Sequence, residues 1–180
     1  MKAPAKSMHR VLITGSSGML GSTLVSSFQQ AKSYRVFGVS HHNRQGHLPE
    51  GDEFLGDLRD PAFLASVLEK TKPDLILHCA AETNLDACEK DPQLARSLHV
   101  DATRALARYA GGGCKLVYVS TDSVFDGEKG GYSESDLPAP LNKYAESKLE
   151  GESAALEAGQ NALVVRTNLF GFHQPLRGSM

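Results

Sequence analysis

Tyr144 and Lys148 stand four residues apart in the segment Tyr144-Ala145-Glu146-Ser147-Lys148. If that segment is helical, the two side chains share one face. A phenol titrates at about 10, too high for ready proton exchange at neutral pH. A neighbouring ammonium stabilises the phenolate and lowers that value. Upstream, Ser120-Thr121-Asp122 closes an apolar run, so the Thr121 hydroxyl can hold a substrate oxygen in line with Tyr144. This is equipment for reducing a ketone: a proton reaches oxygen while a cofactor hydride reaches carbon. Tyr and Lys at this spacing also occur by chance on amphipathic helices. A second motif argues against chance.

That motif is Thr14-Gly15-Ser16-Ser17-Gly18-Met19-Leu20-Gly21. Glycines allow positive φ and let a pyrophosphate approach the backbone. A helix behind them offers free N–H groups and partial positive charge. The pattern alone is weak, but between a strand and a helix at the chain start it is strong. NAD-binding folds usually carry an acid at the end of the second strand, for the ribose 2′-hydroxyl. Here Val39-Ser40 is followed by His41, His42, Asn43 and Arg44, with no carboxylate. Arg44 facing a 2′-phosphate favours NADP(H) and leaves NAD(H) open; the competing reading is a solvated loop arginine. Asp57, in Gly56-Asp57-Leu58, can accept a hydrogen bond from an adenine amino group. It can also cap the next helix, although Asp60 is better placed to do so. In His78-Cys79-Ala80-Ala81 the small residues Ala80 and Ala81 let a cofactor lie near the backbone. The His-Cys pair has no second pair at ligand spacing, so no metal is expected and Cys79 reads as a small core residue.

The elements that must carry these residues alternate. Apolar runs without polar alternation predict buried strands at His9–Thr14, Tyr34–Ser40, Asp74–Ala80, Lys115–Ser120 and Ala162–Thr167, with a short one at Glu53–Leu55. Helical spacing predicts Met19–Ala31 and Asn142–Ala158. Asp60-Pro61 opens another helix that Lys72-Pro73 stops, and Asp91-Pro92 opens one that runs to Tyr109. His41–Gly51 and residues 121–140 read as loops. Helical crossovers between buried strands imply α/β architecture, a doubly wound parallel sheet of the NAD(P)-binding Rossmann type.

Composition sets the outer limits. The chain has 180 residues, the size of one domain, and its 19 Lys+Arg nearly balance 21 Asp+Glu. It has no basic footprint for nucleic acid and no apolar run of membrane-spanning length. The N-terminus lacks a secretory pattern, and Cys79, Cys88 and Cys114 are too scattered for a disulfide scaffold. A reducing, cytoplasmic setting is expected.

Taken together, the stretches TGSSGMLGSTL, GDL, HCAAETNLDACEKDP, VYVSTDSVFDGEKGGYSESDLPAPLNKYAESKLEGE and VVRTNLFG resemble the extended short-chain dehydrogenase/reductase family. The resemblance is to its dTDP-4-dehydrorhamnose reductase group and runs from about His9 to Phe172. It implies NAD(P)H-dependent reduction of a 4-keto nucleotide sugar. Tyr144 would be the proton donor, Lys148 would hold the nicotinamide ribose and tune Tyr144, and Thr121 would adjust the carbonyl. Gly15, Ser17, Gly18, Met19, Leu20 and Gly21 would wrap the pyrophosphate. Asp57 and Leu58 would flank adenine, Ala80 and Ala81 would line the cofactor, and Asp122 and Asn168 would face the sugar. The pattern departs at LHVDAT, where His99 stands in place of a frequent Asn; His99 could substitute for that Asn in a proton relay or helix kink, and an ordinary half-buried histidine is the favoured reading. Family members also continue past Thr167 with a further strand and a substrate lobe. Residues 1–180 are therefore expected as a cofactor domain cut after its sixth main strand, with apolar surface bared on that side. The same stretches also resemble the regulatory β subunit of methionine adenosyltransferase, which implies the alternative of a non-catalytic NADP-binding subunit. Pairing into a homodimer stays open.

Overall fold

The computed structural model describes residues 8–42 and 48–170. Six strands form one sheet in the order β3-β2-β1-β4-β5-β6. They are β1 (His9–Thr14), β2 (Tyr34–Ser40), β3 (Glu53–Leu55), β4 (Leu75–His78), β5 (Lys115–Thr121) and β6 (Ala162–Thr167). Every pairing is parallel. The chain runs outward from β1 to β3, returns to β4 beside β1, and then proceeds the other way. The β1–β4 junction is thus a switch point, where a crevice opens beyond the carboxyl ends of the strands.

Strand β1 shows why its residues are uniformly apolar. Val11, Leu12 and Ile13 are all fully buried. Leu12 joins the core layer built with Leu64, Val67, Leu106 and Ala155. Val11 and Ile13 point the other way, into the layer around Val25 and Val36. Helix α1 (Met19–Gln30) covers that second layer, while α2 (Pro61–Thr71), α5 (Thr103–Ala110) and α6 (Lys143–Leu156) cover the first. On β6, Ala162 and Val164 pack into the core and Leu163 is 57% exposed. Leu163 and Val165 thus leave apolar surface on the other face of this edge strand.

The local signals act as their chemistry dictates. Asp60 caps α2 by accepting from Ala62 N–H, with Pro61 in the first turn. Element ends shift by one or two residues, and two places differ further from the sequence expectation. Strand β4 ends at His78; Cys79 still donates its N–H to the Thr14 carbonyl at 3.2 Å and, with Ala80, follows the cavity wall. A separate short helix, α3 (Leu85–Lys90), precedes the Asp91-Pro92 start because Asn84 caps it through Ala87 N–H.

The helix from Asp91-Pro92 is not uniform either. It comprises α4 (Pro92–Arg96), a wider π turn (Ser97–Ala102) and α5. Such turns often mark functional positions, and this one carries His99. Gly151 of α6 lies directly against it: a Cβ there would collide with the His99 carbonyl and the Tyr118 phenol oxygen.

Candidate active site

One cavity of about 930 Å³ lies over the switch point. It brings together Gly15, Ser17, Gly18, Met19, Leu20, Gly21, Asp57, Leu58, Ala80, Ala81, Thr121, Asp122, Tyr144, Lys148 and Asn168. Of the residues singled out in the sequence, Arg44 alone lies outside the described residues.

At the glycine turn, each glycine has its own reason. Gly15 sits at φ +67°, and a Cβ there would come within 2.8 Å of the Ala80 backbone. A Cβ on Gly21 would collide with the Gly15 carbonyl. Gly18 differs: its φ is −74°, and a Cβ would meet only the Gly15 carbonyl oxygen, at 3.2 Å. Protein packing does not require glycine there; the open space beside it does. Side chains cap α2, α3, α4 and α6, but α1 has no side-chain cap and no acid in its first turn. An uncapped helix start beside an open cradle is what an anion such as a pyrophosphate needs.

At the far end of β2, the Ser40 hydroxyl is buried, lines the cavity and has no hydrogen-bond partner among the described residues. His41, His42 and Arg59 line the same end. Asp57 is held by Arg59, whose Nε reaches both carboxylate oxygens at 2.9 Å and whose Nη2 reaches Oδ2 at 2.6 Å. These hydrogen bonds pull the Asp57 carboxyl below its ordinary range. An adenine amino group would have to share an acceptor that Arg59 already uses. Sequence reading missed Arg59, which nothing in GDLRD marks as facing inward.

At the other end, Lys148 is almost fully buried. Its Nζ donates to the Val119 carbonyl at 2.6 Å and sits 4.1 Å from the centre of the Tyr118 ring. Desolvation pulls its pKa down to about 7. Tyr144 moves against the sequence expectation. Burial raises its pKa, a hydrogen bond with Thr121 offsets part of that rise, and Lys148 is not among the groups that shift it. The ammonium turns toward the Val119 carbonyl, and burial dominates the phenol. Cys79 packs against the core layer of Val11 and Ile13, as a small core residue, and also borders the cavity; burial pushes its thiol up to about 11.

Burial of Lys148 has a measurable consequence. Its folded pKa lies below the unfolded lysine value of about 10.4, so between about 7 and that value the unfolded chain binds the extra proton. The penalty is full below about pH 7 and fades as pH rises. Lys148→Met is expected to improve thermal stability relative to the unsubstituted chain most at low pH, with the difference shrinking toward about pH 10. Thermal melts across that range check this; a difference that stays flat overturns the assigned burial.

Behind the cavity, buried Glu152 accepts from Ser120 Oγ at 2.6 Å and from Arg166 Nη2 at 2.7 Å, tying α6 to β5 and β6. His99 is fully buried and bonded on both ring nitrogens, not half-buried. Sequence reading passed over Gly151. The available signal was a glycine inside a helix, costly unless packing demands it.

The family model described as the RmlD substrate binding domain matches residues 8–174. The chain belongs to that family. It is 40% identical over 159 residues to the methionine adenosyltransferase 2 subunit beta of Xenopus laevis, covering 88% of this chain and 46% of that protein. It is 35% identical to the probable low-salt glycan biosynthesis reductase Agl14 of Haloferax volcanii, covering 86% of this chain and 51% of that one. The solved dTDP-4-dehydrorhamnose reductase of Bacillus anthracis, in complex with NADP, superposes with a TM-score of 0.75 at 32% identity, covering 91% of this chain and 54% of that one. The chain therefore spans about half the length of the curated relatives it matches.

Proposed function

We propose that this chain forms the cofactor-binding and proton-donating part of an NAD(P)H-dependent reductase acting on a 4-keto nucleotide sugar. The observation that carries the reading is the continuity of one cavity from the glycine cradle to Thr121, Tyr144 and Lys148. The similarity to the NADP-bound reductase supports the cofactor.

The bound nicotinamide would supply the hydride. Gly15, Ser17, Gly18, Met19, Leu20 and Gly21 would hold the pyrophosphate, Ala80 and Ala81 would lie along the dinucleotide, and Leu58 and Asp57 would flank the adenine. Lys148 would hold the ribose next to the nicotinamide. Tyr144 Oη holds the proton that the new hydroxyl needs, and its raised pKa keeps that proton in place at neutral pH. Thr121 Oγ1 would orient the substrate oxygen beside it, with Asp122 and Asn168 toward the sugar. NADP(H) is the preferred form, because β2 ends in Ser40 and not in an acid, and Arg44 follows it.

A second reading is a binding subunit without turnover, favoured by the 40% identity to a methionine adenosyltransferase subunit. Titration with NADPH and NADH, read by cofactor fluorescence and thermal shift, tests the common part. NADPH is expected to bind more tightly, and Arg44→Ala to weaken NADPH but not NADH. Equal losses defeat the Arg44 role, and no binding of either cofactor defeats both readings. Oxidation of bound NADPH by a 4-keto nucleotide sugar then separates the reductase from the subunit that only binds.

A further inference from the structure

Two buried histidines stand outside the proposed proton donation, and they belong to one chain of hydrogen bonds. His99 Nε2 accepts the Glu82 backbone N–H at 2.9 Å. An amide only donates, so a neutral His99 ring carries its proton on Nδ1, which donates to Ser147 Oγ at 2.8 Å. Ser147 in turn donates to the Tyr144 carbonyl at 2.8 Å. His78 has the opposite tautomer. Thr103 Oγ1 gives its proton to the His99 carbonyl at 2.7 Å, so it must accept from His78 Nε2–H at 3.0 Å. His78 Nδ1 then accepts from Thr14 Oγ1 at 2.6 Å, and the Thr14 oxygen accepts Ala80 N–H at 3.4 Å.

The ends of this chain are the walls of the cavity. Ala80 and Glu82 follow β4, Thr14 leads into the glycine turn, and Tyr144 opens α6. The His99 ring also meets the Tyr144 ring edge-on, with centroids 5.8 Å apart. Burial, aided by the nearby Lys148 charge, holds both imidazoles down to about 3, so neither gains a proton at neutral pH.

We propose that His99 is a positioning residue: as a neutral, Nδ1-protonated imidazole it braces the Glu82 turn of the cofactor wall against the helical turn that carries Tyr144, with His78 tying in the glycine turn through the opposite tautomer. What the brace is for rests on the reductase reading; its geometry does not. One rigid ring offers an acceptor to one wall and a donor to the other. The π turn brings it between them.

Long-range proton–nitrogen NMR correlation on the full chain tests the brace directly. His99 is expected as the Nδ1–H form and His78 as the Nε2–H form, both neutral at about pH 6.5, where free histidine is half protonated. His99 in the Nε2–H form, or charged, overturns the proposal. His99→Leu is expected to speed amide exchange at Glu82 and to weaken NADPH binding, each at least about tenfold. His99→Gln, which keeps an acceptor and a donor, should recover most of both at similar thermal stability. Unchanged Glu82 exchange in the leucine variant overturns the brace, as does failure of glutamine to rescue. If the leucine variant does not fold, the tautomers of the unsubstituted chain decide. If NADPH never binds, the reductase reading falls, while tautomers and Glu82 exchange still judge the brace.

Discussion

Gly18→Val is expected to abolish measurable NADPH binding while leaving the fold in place. Gly18 has φ −74° and ψ 170°, an extended conformation that valine adopts without strain. A Cβ there meets only the Gly15 carbonyl oxygen, at 3.2 Å, a tight contact that a shift of a few tenths of an ångström relieves, unlike the outright collision at Gly21. The branched side chain fills the space in front of the uncapped α1 terminus, where a pyrophosphate would approach the backbone. A loss of at least about a hundredfold in affinity is expected, equivalent to about 2.8 kcal/mol. Gly21→Ala is the contrasting control. Its Cβ collides with the Gly15 carbonyl, so thermal stability should fall along with binding. Cofactor titration beside thermal melts separates the two behaviours. Unchanged affinity in Gly18→Val would remove the glycine turn from the cofactor site.

Tyr144→Phe is expected to cost at least about two decades of reduction rate, with cofactor affinity near normal. The substitution deletes one oxygen. The phenyl ring keeps its edge-on contact with His99, and Thr121 Oγ1 keeps the Ser123 N–H at 3.2 Å. Little besides the proton source is therefore lost. Burial raises the Tyr144 pKa, so donation should persist through neutral pH and fail only as pH climbs through that raised value. Turnover of a 4-keto nucleotide sugar, followed by NADPH oxidation, is the measurement. A variant that keeps its rate would strip Tyr144 of the donor role and leave the binding-only reading in front.

Much of the scaffold was legible in the chain because its signals are local. Three consecutive β-branched or leucyl residues at Val11, Leu12 and Ile13 announce a strand buried on both faces. Asp60-Pro61 announces a helix start, because an acid can cap and proline needs no N–H there. The Tyr144–Lys148 spacing places both on one helical face, and both line the cavity. The missed elements depend on distant partners. The π turn at Ser97–Ala102 breaks what sequence spacing reads as one helix, and no residue in SLHVDA marks that break.

The electrostatics were the least legible part. Sequence spacing suggests that Lys148 lowers the Tyr144 pKa, yet the folded chain turns its ammonium to the Val119 carbonyl. Burial then dominates both groups, lowering the lysine to about 7 and raising the tyrosine. Arg59 takes hold of Asp57 at the end of the cavity near β2, where the sequence drew attention to Arg44.

By itself, then, the sequence determined the parallel α/β scaffold, the glycine cradle and the Thr121, Tyr144 and Lys148 set. Each is encoded by side-chain periodicity, backbone freedom or helical spacing over a few residues. Only the tertiary structure decided which charges are desolvated, and that His99 and His78 bridge segments far apart in the chain. Desolvation and buried hydrogen bonds depend on what packs around a group, and those neighbours come from every part of the chain.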